Sequence, residues 1–195
     1  MVTRMNRLSS KHYRRQGGSR KPIAGFTLVE VLVVITIAAI LMAFGVPSYQ
    51  YVTNSNRIAG EVNGLLSDMQ YARSEAIKEG QTVTVCSSSN ATTCSGAPVW
   101  SNGWIVFSDV NGDGAVNGTD TILKVGGAFH VGDTFNANNN MNFVTFNREG
   151  FALGLANTVT VALHAAVPNI SSTRCLQITI IGQLATEKAG VGACT

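Results

Sequence analysis

The chain has 195 residues, 45% of them hydrophobic and 13% charged, with a formal charge of +3. That charge is unevenly placed: residues 1–25 hold seven Lys/Arg and no acid, so the remainder has seven basic against eleven acidic residues, 7 − 11 = −4. A mildly acidic body argues against a strongly basic nucleic-acid surface, and its length suits one domain with its own core.

The basic start comprises Arg4, Arg7, Lys11, Arg14, Arg15, Arg20 and Lys21. An apolar run follows from Phe26 to Val46, twenty-one residues whose one charge is Glu30. About 20 apolar residues suffice for a helix to cross a bilayer. The flanking charges keep the N-terminal end cytoplasmic by the positive-inside rule. A cleaved secretory signal would have a shorter apolar core and a small-residue site after it. Here the run is longer and Pro47-Ser48-Tyr49 follows. An acid one turn inside a membrane helix costs up to roughly 2.5–3.5 kcal/mol at the centre, so Glu30 is a functional candidate.

Helical periodicity continues beyond Pro47. From Ile58, the residues Val62, Leu65, Leu66, Met69, Ala72 and Ala76 fall on one stripe of a 3.6-residue period. Gly80 is a stop signal. One helix, bent at Pro47 or continuing through it, is therefore expected over 26–79. Residues 26–46 form its membrane-spanning part and 47–79 its amphipathic continuation, with 80–195 as a β-rich head.

The junction Gly25-Phe26-Thr27-Leu28-Val29-Glu30 resembles the prepilin motif of type IV pilins and type II secretion pseudopilins. Pro47 also matches that family's pattern. The resemblance implies cleavage of the 1–25 leader after Gly25 by a prepilin peptidase, then methylation of the new amine of Phe26. It implies that Glu30 helps the subunit enter a filament with other pilins or pseudopilins on an inner-membrane assembly platform. It also implies a single pass through the bacterial inner membrane and a periplasmic head. The physical logic is independent of the family. Cleavage creates an amine with a reference pKa of about 7.7–8.0, and residues four apart share a helix face. A neighbour's Glu30 and this amine can therefore neutralise each other in lipid.

After Gly80 the apolar period becomes two. Strands are expected at 82–86, 100–107 (with a turn at Asn102-Gly103), 121–125, 128–131, 141–146, 151–155, 158–163 and 174–181. Asn-Gly, Asp-Gly and Gly-Gly pairs separate several of them. Short strands after one long helix give an α+β fold, the helix packed on a mostly antiparallel head. The order GWIVFSDVNGDG, ILKV, NFVTFNREG, then a late cysteine-containing strand, is similar to the GspH/FimT branch of that family. The branch serves type II secretion and type IV pili, including DNA uptake. Its DNA-binding members imply a late Gly-Arg-x-Arg-like turn. The matching stretch here, Gly182-Gln183-Leu184-Ala185, has no arginine, which weighs against nucleic acid as a partner.

All four cysteines follow the apolar run, on the oxidising side of the expected membrane. Four cysteines allow three pairings. Sequence proximity favours Cys86–Cys94 and Cys175–Cys194. Zinc is the weaker reading, since the spacing is not Cys-x-x-Cys and no histidine is near.

The run from Asp109 to Asp120 fits a calcium loop at Asp109, Asn111, Asp113 and Gly114, with oxygen side chains also at Asn117 and Asp120. Against calcium stand a twelfth residue that is Asp rather than Glu, the lack of a second repeat, and flanking strands. A turn-rich hairpin loop has the same composition. No catalytic constellation is present: His12, His130 and His164 have no motif partner, and no phosphate loop or zinc-hydrolase motif occurs. The expected function is a structural subunit of a short filament for type II secretion or pilus biogenesis, not an enzyme. The alternative is a tip subunit that catches DNA or a surface. A membrane-anchored calcium module would instead require no cut after Gly25.

Overall fold

The computed structural model describes residues 25–164, 172–192 and 194. The basic leader up to residue 24 lies outside the described residues. The chain divides into two compact units, Met1–Ala43 and Phe44–Thr195. One helix, α1, runs from Leu28 to Glu79 with Pro47 inside it.

In the first unit the helix starts because Thr27 caps it. The Glu30 amide donates to Thr27 Oγ1 at 3.2 Å, and the Val31 amide to the Thr27 carbonyl at 3.2 Å. None of the described residues up to Ala43 is buried. Phe26 and Leu28 are each 81% exposed, and Leu41 is 67% exposed. Removing one such side chain from water is worth about 1.5–3 kcal/mol. A helix with this many exposed apolar groups is stable only where lipid or other helices cover it.

Among its described residues the second unit has nine strands: β1 (Val83–Ser87), β2 (Trp104–Ser108), β3 (Thr121–Gly126), β4 (Thr134–Ala137), β5 (Phe143–Phe146), β6 (Ala152–Leu153), β7 (Val159–His164), β8 (Arg174–Ile178) and β9 (Leu184–Lys188). They form a five-stranded sheet in the order β3-β2-β1-β5-β6 and a four-stranded sheet in the order β4-β7-β8-β9. Every pairing is antiparallel. The architecture is α+β.

One core joins these layers. The helical stripe Ile58, Val62, Leu65, Met69, Ala72 and Ala76 is fully buried. It packs with Val83, Val85 and Val144 of the first sheet and with Val161, Leu163 and Leu176 of the second. Strand side chains alternate between faces, so the other face of β1 and β2 must be accounted for. There Cys86, Ile105 and Phe107 make a second cluster, covered by Cys94 and Val116 from loops. This is why β1 and β2 are buried along their whole length.

Polar locks fix the helix on the sheets. Asp68 accepts from Trp104 Nε1 at 2.9 Å and pairs with Lys124 Nζ at 2.6 Å. Arg73 Nε donates to the Gly150 carbonyl at 2.9 Å. Arg57 pairs with Asp133 and Glu61, and the Asp133 carboxylate raises the guanidinium pKa above its ordinary value. Gly126 carries no side chain because a Cβ there would overlap the Trp104 ring.

The strand expectations need four corrections. β2 begins at Trp104 rather than Trp100. The Trp100 amide instead bonds the Phe135 carbonyl at 2.7 Å, across the head. Residues 128–131 form no strand; Phe129 is there to stack between Trp104 and Phe135. β4 and β9 occur where none was expected. The strand beginning at Arg174 ends at Ile178, and Ile180 and Ile181 lie outside it.

Candidate functional site

The first candidate site is the helix start. Gly25, Phe26 and Thr27 precede α1, and Glu30 lies in its first turn. Phe26, Glu30, Val31 and Val34 line a shallow groove of about 200 Å³ along one side of the helix. The Thr27–Glu30 spacing is that of a capping box, in which a Thr cap and a Glu three residues later serve the helix N-terminus. The partial positive charge of that terminus also favours an acid in the first turn. The capping role of Thr27 was readable from the Thr-x-x-Glu pattern.

The second candidate site is the loop 109–120, which joins β2 to β3. Asp109 is fully buried, and protein donors surround its carboxylate. Oδ1 accepts from the amides of Gly112 at 2.8 Å and Asp113 at 3.2 Å. Oδ2 accepts from the amide of Gly114 at 3.0 Å and from Thr84 Oγ1 at 2.7 Å. Thr84 in turn meets its cross-strand partner Thr145 at 2.6 Å. Asp120 accepts from the amides of Val110 and Asn117. Asn111 Nδ2 donates to Asp113. The Ala115 amide, with Asn117 and Asn111, holds the Asp113 carboxyl below its ordinary pKa.

The donor set expected for calcium, Asp109, Asn111, Asp113 and Asp120, is thus turned onto the loop's own N–H groups. Among the described residues no three Asp, Glu, His or Cys side chains gather as an ion site. The arrangement is a hydrogen-bonded hairpin loop built around a buried acid.

The cysteines join as Cys86–Cys94 and Cys175–Cys194. The first bond closes the loop over the outer cluster. The second ties Cys194, near the C-terminus, to β8.

The turn between β8 and β9 offers no cation of its own. Gly182 is buried there with φ +73°, where an added Cβ would overlap the Gly150 carbonyl. Neighbouring Arg73 is engaged with Gly150 and Ile181 carbonyls. Lys78 faces Glu75, Lys124 faces Asp68 and Arg148 faces Glu149.

Two family comparisons bear on these features. The profile of the prokaryotic N-terminal methylation motif matches residues 20–46, the span that holds Gly25, Phe26 and Glu30. The profile of the type II transport protein GspH matches residues 61–183, more than half of the chain. The chain belongs to the GspH family.

Its fold is that of a solved type IV minor pilin. The Pseudomonas aeruginosa type IV minor pilin FimU is similar with a TM-score of 0.56 at 20% identity, over 70% of this chain and 92% of that one. A second crystal form of FimU gives 0.52 at 19% identity, over 66% and 91%. The Vibrio cholerae minor pseudopilin EpsH, of the type 2 secretion system, gives 0.46 at 10% identity, over 69% and 98%. No curated protein matches the chain. The chain thus joins an N-terminal methylation motif to the body of a type II transport protein of the GspH family. Its helix is long and apolar enough to cross a membrane, and the methylation motif covers its start. The methylation motif implies processing by a prepilin peptidase and assembly with other pilins.

Proposed function

We propose that this GspH-family chain is a low-abundance subunit that helps initiate or cap a short filament, with its head in the periplasm. Prepilin peptidase cuts after Gly25 and methylates Phe26. The subunit then leaves the membrane by stacking its apolar helix against other subunits on the inner-membrane platform. The amine of Phe26 and the Glu30 of a neighbour neutralise each other during that transfer.

One observation carries this reading: a single acid, Glu30, lies in the first turn of a helix that buries none of its residues up to Ala43. An unpaired charge there is costly in lipid, and losing one partner of a buried pair typically costs about 3–5 kcal/mol. The cysteine pairs favour an oxidising compartment for the head. DNA capture has less support, because the described cations are mostly paired.

The test is Glu30→Ala in cells. The variant is expected to be processed and to remain in the membrane fraction, yet to be missing from sheared or cross-linked filaments. Incorporation at the wild-type level would remove Glu30 from the assembly mechanism.

A further inference from the structure

The head contains a cleft that the filament reading leaves unused. Its volume is about 450 Å³, and its walls are the segments 139–143 and 153–157. That size lies within the range of ligand sites, about 300–1,000 Å³. The cleft opens where two chains diverge. β6 pairs with β5 at only two positions, Thr145 with Leu153 and Phe146 with Ala152. Beyond Leu153 the chain turns away toward β7, so the other half of β5 has no strand beside it in the five-stranded sheet.

The direction of the unmet backbone groups follows from the ladder. The Asn142 carbonyl accepts from the Ser87 amide, toward β1. Backbone groups alternate sides along an antiparallel strand. The N–H and C=O of Phe143 therefore point away from β1, into the cleft. The side chains at its mouth are amides. The side-chain amides of Asn139, Asn140, Asn142 and Asn157 make no hydrogen bond among the described residues. Asn139 and Asn140 both adopt φ 56°, a left-handed conformation that costs free energy for a non-glycine residue. No Asp, Glu, Lys, Arg or His lines the cleft, while Phe143, Leu155 and Val159 supply apolar contact.

We infer that this cleft takes an extended, uncharged segment of a partner polypeptide, which lies beside β5 and completes the row that β6 leaves unfinished. An extended segment presents donors and acceptors at the strand repeat of about 3.3 Å per residue. It is the ligand that meets a single open edge position flanked by amides and small apolar pockets, the recognition mode of strand addition. The absence of lining charge selects a neutral segment. The inference rests on the head alone and stands whether or not Glu30 acts in assembly.

The probe is a library of capped heptapeptides built from Thr, Ser, Val, Leu, Ala and Asn, offered to the full-length protein in detergent micelles. Retention is read by mass spectrometry, and exchange of the Phe143 amide by NMR. Retained peptides are expected to slow exchange at Phe143. Ala156→Trp, at an exposed position, is expected to fill the cleft and cut retention by at least about tenfold. Asn140→Gly keeps the left-handed backbone and is expected to preserve retention. Three results would overturn the inference: no retained peptide, retention that survives Ala156→Trp, or binding of neutral oligosaccharides that Asn140→Gly abolishes. The last would mean that side-chain amides read a sugar instead.

Discussion

Asp109 shows how one residue can be visible in a sequence while its role is not. The spacing of oxygen side chains from Asp109 to Asp120 is common to ion loops and to tight turns, because both need short polar side chains and glycines. What separates them is whether the oxygens face a cation or backbone N–H groups, and spacing alone does not encode that. Here four protein donors face a buried carboxylate. Asp109→Ala would leave those donors without their acceptor, at about 1–3 kcal/mol for each group that stays buried. Urea unfolding of the protein is therefore expected to show a loss of several kcal/mol, and added millimolar calcium is expected not to restore wild-type stability. Asp113, exposed in the same loop, gives a pH signature. Its carboxyl is held below the ordinary value, chiefly by the Ala115 amide. A group whose folded pKa is depressed stabilises above its unfolded pKa, and that contribution is lost as pH falls through the folded value. NMR titration should place the Asp113 midpoint below that of a free aspartate. Ala115→Pro, which deletes the donor, should move it back up.

Among the elements, the helix was the most legible. The stripe from Ile58 to Ala76 was readable because a helix buried on one side must repeat its apolar positions; six of its seven expected positions are buried, and Leu66 is partly buried at its edge. Strands were less legible where tertiary contacts decide them. β9 has no fully buried residue, so its sequence lacks the alternation that marks a half-buried strand. It is a strand because it pairs with β8 over five positions. β4 is four residues long, too short for a period to emerge. Conversely, the apolar run 128–131 reads as a strand, yet Phe129 is held by aromatic packing instead. Cys175 of β8 is tied to Cys194, beyond the end of β9, with a sequence separation of 19. A loop of that size restricts the unfolded chain by about 3 kcal/mol in the entropy model. The double variant Cys175→Ser, Cys194→Ser is expected to lose stability of that order in urea unfolding under non-reducing conditions. The same loss should appear when the wild type is reduced.

At the scale of the whole molecule, two units carry two different surfaces. The second unit buries a core of its own between one helical stripe and two sheets. The first unit buries nothing among its described residues. The sequence showed this division through one contrast, a helix that is apolar on every side and then apolar on one side only. It did not show the open half of β5, because a missing strand partner is a property of topology, not of composition. The central claim is that the uncovered helix is prepared for assembly by a cut that places an amine near Glu30. The most direct measurement is the intact mass and N-terminal sequence of the protein extracted from its native membrane. The account predicts a chain that begins at N-methylated Phe26. A chain that keeps residues 1–25, or begins at any other residue, would contradict it.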